Sequence, residues 1–463
     1  MSKIVIYYTM KHCYMQINQS IFKAYDIRGI YPTEFNEEIA YATAQAYAKF
    51  LAPKTVALGR DVRLSGPTIF GAVKKGLIDH GVDVVDIGVV STDMMYFAVA
   101  HYGYDGGLCI TASHNPGEYN GIKMVRKMAK PISGESGIIE IRDLVLADYN
   151  YQAPQVGTVT IQDVLGDYLK KVLSIIDLTK IKPFKIVANC NFGAIGRNLK
   201  HLQNFLSLDV IWLNEEPNGA FPKGRPDPLI LENRTETMEL VKKHGADFGV
   251  AWDADADRIF FIDETGRFIS GYFTSAVLAE YFLTRYPQAK VVVDMKLNWA
   301  IIDMVNKMGG TALPNKTGHA FFKERMIKED AVFGGEVSGH YFFKDFFYLD
   351  NGLIPFLIIL DILSTSGKKL SEIYQPYFEK YFAIDETNFT VADVAAVLQS
   401  IKAKYHDGQL SEIDGIAIEY PDWRFSVRSS NTEPVVRLNL EARSKELMNA
   451  RARELTELIK NFS

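Results

Sequence analysis

The chain has 463 residues, 48% of them hydrophobic and 23% charged, ordinary proportions for globular material that at roughly 100 to 200 residues per domain divides into three or four domains. Its 51 basic and 56 acidic residues leave a formal charge of -5, so there is no excess of cations to neutralise a nucleic-acid backbone or an anionic membrane. Any anionic ligand must be met by locally placed Arg and Lys.

The first fourteen residues read as an extension ahead of the folded body. Their apolar run IVIYYTM (4–10) is too short for a secretory core and lacks a small-residue cleavage site, and the longest later apolar stretch, LIPFLIIL (353–360), is bounded by Asp350 and Asp361; neither reads as a membrane span. The three cysteines, Cys13, Cys109 and Cys190, show no CxxC spacing and no paired framework. Reduced thiols and a cytoplasmic location are expected.

From Tyr41 to Leu363, short runs rich in Val and Ile alternate with segments of helical period, the pattern of strands joined by crossover helices. The runs TVALG (55–59), VDVVDIG (82–88), KIVANC (185–190), DFGVAWD (247–253) and KVVVDM (290–295) are the clearest strands. Three small polar loops, TASHNP (111–116), DADADR (253–258) and GEVSGH (335–340), recur along this stretch, suggesting three related α/β units. After about Phe378 the character changes. FAIDETNFTV, GIAIEY, WRFSVRSS and VVRLNLEA read as strands, followed by an amphipathic helix over Lys445 to Ile459, together a smaller α+β domain. Boundaries near 152–157, 263–267 and 374–380 divide the chain into 15–159, 160–267, 268–378 and 379–463.

Each loop has a chemistry and a bland alternative. TASHNP exposes the Ser113 hydroxyl among backbone N–H groups, yet it also fits an ordinary Asn/Pro turn. On an extended segment His114 would point away from Ser113 and make a poor base for it. DADADR puts three carboxylates, Asp253, Asp255 and Asp257, at a strand end. A divalent cation best satisfies such a set, and all-oxygen ligands favour magnesium; the alternative is a solvated acidic turn. GEVSGH sets Glu336 and Ser338 two apart between glycines, as in a mobile loop contacting adjacent hydroxyls, or a plain glycine turn. RSSNTEPVVR (428–437) offers the Arg428 fork with Ser429, Ser430, Asn431 and Thr432, chemistry suited to phosphate, or a polar turn between strands.

Taken in order, with YDIRG (25–29), GRDVRLSG (59–66), NGIKMV (120–125), DMK (294–296) and KTGH (316–319), these loops resemble those of the α-D-phosphohexomutase family, specifically its bacterial phosphomannomutase/phosphoglucomutase branch. The resemblance covers the chain from about Phe22 onward. It implies three related α/β domains and a C-terminal α+β domain around a central cleft, each giving one loop. It implies reversible conversion of hexose 6-phosphate to hexose 1-phosphate, of mannose or glucose, through a phosphoserine at Ser113 and a hexose 1,6-bisphosphate that also serves as activator.

By the same resemblance, Mg²⁺ is held by Asp253, Asp255, Asp257 and the phosphate on Ser113. Arg258, Arg28 and Lys123 line the transferring group, and His319 with Lys123 are the acid/base candidates. Glu336, Ser338 and His340 belong to the sugar loop. Arg428, Ser430, Asn431 and Thr432 grip the distant phosphate, with Lys296 and Tyr25 as further contacts. Small hexose phosphates are the expected partners and a monomer the expected state. The chain departs from the family pattern in having Ala254 or Ala256 where glycine is common, Val337 where Met is common, and NCNFGAIG (189–196), expected outside the inferred cleft, in place of a glycine-rich turn. A phosphohydrolase built on the acidic loop and a silent sugar-phosphate binder are the rival classes. Phosphoglucosamine mutase is the close alternative, disfavoured by Asn431.

Overall fold

A computed structural model of the chain describes residues 17–429 and 435–462. Its first three sheets repeat one topology. In the first, strands Asp83–Val89, Thr55–Arg60 and Gly106–Ile110 run parallel and Tyr119–Arg126 returns antiparallel beside Gly106–Ile110. In the second, Leu208–Leu213, Phe184–Asn189 and Phe248–Trp252 are parallel and Ile259–Asp263 returns. In the third, Thr311–Asn315, Lys290–Asp294 and Phe333–Gly335 are parallel and Tyr341–Phe343 returns. The central strands are apolar throughout because helices cover both sheet faces; Val291, Val292 and Val293 are all fully buried.

The loop between the last parallel strand and the returning strand is 111–118 in the first sheet, 253–258 in the second and 336–340 in the third. The three polar loops therefore occupy one topological position. Parallel strands in such units carry their functional loops at their carboxyl ends, and these loops do the same. The repeat read from the sequence is real, and it makes the loops equivalent.

The fourth unit is a five-stranded antiparallel sheet in the order Phe382–Thr390, Val435–Ala442, Trp423–Ser429, Ile416–Glu419, Gln409–Ser411, with helices Val394–Lys404 and Lys445–Lys460. This is the expected α+β domain, with its own core of Trp423, Phe425, Leu438, Leu440, Leu455 and Ile459. A buried ion pair within this sheet, Arg424 Nη1 to Glu441 Oε1 at 2.7 Å, fastens it to the third unit: Arg424 donates to the carbonyls of Met295 and Lys296, and Glu441 accepts from the Asn298 N–H at 2.9 Å.

The largest core runs through the first three units. Helix Thr92–Tyr102 of the first unit packs on helix Leu165–Leu173 and on Phe346, while Trp252 meets Phe356 of the helix Ile354–Ser366. The LIPFLIIL run lies in that helix, buried in this core. Among the described residues no helix is long and apolar enough to cross a membrane. Cys109 and Cys190 are buried and unpaired; Cys13 lies outside the described residues.

Candidate active site

The Ser113 loop is held from below by one arginine. Arg63 is fully buried; it pairs with Asp61 at 3.2 Å and donates to the backbone carbonyls of Ser113 (2.7 Å), Asn115 (2.6 Å), Pro116 (2.6 Å) and Tyr119 (2.9 Å). Asp61 accepts from Thr111 Oγ1, whose oxygen in turn accepts from the Ser113 N–H at 2.8 Å. Neither Asp61 nor Arg63 was singled out in the GRDVRLSG stretch, because which carbonyls a guanidinium reaches depends on a loop some 50 residues away. The planar fork satisfies four carbonyls at once, a task that three ammonium donors on a flexible stem cannot match. Arg63→Lys is expected to destabilise the protein by on the order of 3 kcal/mol through carbonyls left unpaired, read as a lower denaturation midpoint. An unchanged midpoint would contradict this bracing role.

Ser113 takes a left-handed backbone, φ 51°. The segment is therefore not extended, and the expectation that His114 points away is wrong: Ser113 Oγ lies 3.1 Å from His114 Nδ1. Burial, with Arg258, Arg28 and Arg225 nearby, pushes the His114 imidazole well below its usual pKa. Ser113 Oγ also lies 3.3 Å from Asp253 Oδ2, across the boundary between the first and second units.

The three aspartates at 253, 255 and 257 are buried, with carboxylate oxygens within 4.8 Å of one another. Cations from the first and second units hydrogen-bond to them. Lys123 Nζ donates to Asp255 Oδ2 at 2.7 Å and to Asp257 Oδ2 at 2.6 Å, and Arg258 Nε donates to Asp253 Oδ2 at 2.8 Å. Burial, opposed by Arg258 and reinforced by Asp257 and Asp255, pushes the Asp253 carboxyl upward; burial on Asp257 is outweighed by Lys123 and His340, which pull it well down. Asp255 Oδ1 and Asp257 Oδ1 are buried without a hydrogen-bond partner, although His340 Nε2 stands 3.4 Å from the latter. Orphaned carboxylate oxygens in an all-oxygen set fit a hard divalent cation.

The alanines in this loop have consequences. Ala256 sits in the left-handed region, φ 59°, where a Cβ costs on the order of 1 kcal/mol. The NCNFGAIG turn, expected to lie away from the cleft, backs the loop directly: Ala194 N donates to the Ala254 carbonyl at 3.1 Å and Asn191 Nδ2 to that of Trp252 at 2.6 Å. A Cβ on Gly193 would come within 2.3 Å of the Ala254 oxygen, so glycine permits the contact.

Arg28 donates to Asn115 Oδ1 at 2.7 Å and pairs with Asp26. Of the two readings of the third loop, mobile loop or glycine turn, the mobile one does not hold: Glu336 is buried, takes the Gly318 N–H at 2.6 Å and lies 3.0 Å from His340 Nδ1. Arg258 and His340 form a backbone bridge that ties the second and third loops. His319 stacks edge-on with Tyr25 at 5.3 Å, and neither of its ring nitrogens has a partner. Burial, helped by Lys323 and Lys123, holds its pKa well below the ordinary value.

Lys296 lies 3.6 Å from Asp294 Oδ2; that carboxylate also takes Thr317 Oγ1 and the Val337 N–H and so joins DMK, KTGH and GEVSGH. Asp414 of the fourth unit accepts from the Thr317 N–H at 3.1 Å. Arg428 pairs with Glu386 at 2.8 Å, and Arg437, its cross-strand neighbour, reaches the other oxygen of the same carboxylate. Ser430, Asn431 and Thr432 lie outside the described residues. Sequence reasoning missed Asp294 and Arg437, and also Arg225, which donates to the His114 carbonyl at 3.1 Å.

Loops from the first three sheets thus meet around buried carboxylates and cations, and Asp414 of the fourth unit ties to Thr317 beside them. Known proteins agree with the whole arrangement. The domain families described as Phosphoglucomutase/phosphomannomutase, alpha/beta/alpha domains I, II and III and C-terminal domain match residues 19–152, 166–266, 270–381 and 386–458. The chain belongs to the phosphoglucomutase/phosphomannomutase family. It is 42% identical to the phosphohexose mutases of Xanthomonas campestris pv. campestris, over 95% of this chain and 99% of that one, and 43% identical to the phosphomannomutase of Vibrio cholerae, over 95% and 98%. A crystal structure of a phosphoglucomutase/phosphomannomutase family protein from Burkholderia thailandensis superposes with a TM-score of 0.87 at 31% identity, covering 96% of this chain and 98% of that one. This family member is an isomerase, a phosphohexomutase.

Proposed function

We propose that the enzyme interconverts hexose 6-phosphate and hexose 1-phosphate by way of a phosphoryl group carried on Ser113. The observation that carries this reading is the Ser113 hydroxyl standing 3.3 Å from Asp253 Oδ2, beside carboxylate oxygens of Asp255 and Asp257 that lack partners. In the forward direction the free sugar hydroxyl attacks the phosphorus on Ser113. The Ser113 Oγ–P bond breaks, the sugar O–P bond forms, and the hydroxyl proton goes to a base. His319, with unpartnered nitrogens kept neutral by burial, fits that role. The resulting 1,6-bisphosphate turns over and returns its other phosphate to Ser113.

Mg²⁺ held by Asp253, Asp255 and Asp257 would neutralise charge on the transferring group. Lys123, as placed, supplies charge and orders two of these carboxylates. Arg258 and Arg28 flank Ser113, and Arg428 with Ser430, Asn431, Thr432 and Lys296 would hold the distant phosphate. The domain limits proposed are 15–159, 160–267, 268–378 and 379–463. A cytoplasmic location and a monomeric state complete the reading.

Both mannose and glucose phosphates are proposed as substrates. Glu336 and Ser338 would meet the 3- and 4-hydroxyls, which the two sugars share, and Val337 has no side-chain hydrogen bond to offer carbon 2. A buried group made for one epimer's 2-hydroxyl would cost the other roughly 1 to 3 kcal/mol, about tenfold to a hundredfold. Coupled assays of glucose, mannose and galactose 1-phosphates, with and without the bisphosphate, test both reaction and scope. Galactose, inverted at carbon 4, is expected to be poor. A glucose-to-mannose ratio beyond about a thousandfold would exceed one contact's worth and end the dual reading; steady release of inorganic phosphate without isomerisation would favour a phosphohydrolase.

A further inference from the structure

Helix Thr92–Tyr102 has apolar residues around most of its surface, as a helix buried between domains must. Its first two residues are polar, fully or almost fully buried, and point to different partners. Thr92 Oγ1 donates to Asp255 Oδ2 at 2.6 Å, and the Thr92 N–H donates to the Asp255 carbonyl at 3.1 Å. The same Oδ2 takes Lys123 Nζ at 2.7 Å, while Oδ1 stays without a partner. Two donors on one oxygen, together with a backbone bond, fix the rotation of this carboxylate and decide which oxygen is left free.

Asp93, next in the chain, anchors the helix end. Its Oδ2 takes Tyr168 Oη at 2.6 Å and Asn351 Nδ2 at 2.6 Å, and its Oδ1 takes the Ser91 hydroxyl. Tyr168 lies in helix Leu165–Leu173, and Asn351 directly follows a further short strand of the third sheet, Leu349–Asp350. The residue that touches Asp255 is therefore held by segments on either side of the metal loop in sequence.

We propose that Thr92 is a positioning residue of the metal site: its hydroxyl, braced through Asp93, Tyr168 and Asn351, orients Asp255 so that Oδ1 faces the cation. The inference rests on the reading above that Asp253, Asp255 and Asp257 hold Mg²⁺. Thr92 touches no reacting atom. It acts through Asp255, as outer partners of metal ligands do when they fix a ligand's orientation, and losing such a partner typically weakens metal binding about tenfold to a hundredfold. Nothing in the local sequence STDMMYF marks Thr92, since its partner lies 163 residues away.

Calorimetric titration of the full-length chain with Mg²⁺ tests this apart from activity. Thr92→Val replaces the hydroxyl by a methyl of nearly the same size, and Thr92→Ser keeps the hydroxyl. The Val variant is expected to weaken the Mg²⁺ Kd by about tenfold or more. The Mg²⁺ concentration for half-maximal turnover should rise in parallel, while KM for sugar phosphate at saturating Mg²⁺ stays unchanged; Ser should remain within about threefold of the unmodified chain. If Thr92→Val does not fold, Thr92→Ala removes the hydroxyl without placing a methyl beside the carboxylate and carries the same expectation. Wild-type Mg²⁺ affinity in the Val or Ala variant, or a Ser variant as weak as Val, would overturn the positioning role. An unmodified chain that binds no Mg²⁺ would instead overturn the metal reading on which it stands.

Discussion

Ser113→Ala is expected to lower turnover by roughly four orders of magnitude or more, because it deletes the atom that carries the phosphoryl group. The fold should be nearly untouched. Ser113 already stands at φ 51°, and Ala meets the same left-handed backbone with a Cβ no larger than serine's. The hydroxyl makes two contacts, 3.1 Å to His114 and 3.3 Å to Asp253, whereas Arg63 braces the loop through carbonyls that the substitution leaves in place. Activity and stability should therefore separate: turnover collapses while the thermal midpoint stays close to that of the unmodified chain. Intact-mass measurement of active enzyme should find one added phosphoryl group on the peptide containing Ser113. Wild-type turnover in the Ala variant, or fully active protein with no such group, would remove the relay.

The fold was legible where one short-range pattern decides it. Runs such as KVVVDM become central parallel strands, because residues buried on both faces must be apolar at every position, and Lys290–Asp294 fits that run closely. The polar loops announced themselves because three carboxylates at alternating positions, or a serine beside Asn and Pro, break apolar runs abruptly. Their shared place, between the third parallel strand and the returning one, could only be suspected from spacing, since strand order does not follow chain order.

What escaped the sequence was set by contact across distance or by a single backbone angle. Arg63 reaches carbonyls of 113–119 and Thr92 reaches Asp255; neither pairing leaves a periodic trace. An extended segment would turn His114 away from Ser113, and one left-handed residue brings it back. Glycine is common in related loops at 254 or 256, and of these two positions Ala256 alone takes positive φ. Glu336 lies between glycines, a pattern that fits both a mobile loop and a fixed glycine turn. The Gly318 N–H and His340 hold it still, and both belong to contacts formed only once the third unit folds.

Asp255→Asn should separate stability from function in the opposite sense to an ordinary core substitution. Three buried carboxylates crowd one another, Asp257 and Asp255 both pushing the Asp253 carboxyl upward, while Lys123, Arg258 and His340 oppose them. Replacing Asp255 by its neutral isostere removes one of these repulsions, and Lys123 keeps Asp257 as an anionic partner. The carbonyl oxygen of Asn can still accept from Thr92 and Lys123, so in excess chelator the thermal midpoint should stay within about 3 °C of the unmodified chain. The cation, however, loses one of three anionic ligands. The rise in midpoint on adding Mg²⁺, which reports binding to the folded state, should shrink or vanish. Turnover should fall by about a hundredfold or more, on the scale seen when one preorganised charge-stabilising contact is removed. Thermal scans with and without Mg²⁺, alongside kcat at saturating Mg²⁺, read all three effects on one preparation. An Asn variant with wild-type turnover and an intact Mg²⁺-induced rise would take Asp255 out of the ligand set, and full turnover of the unmodified enzyme in chelator would take the metal out of the reaction.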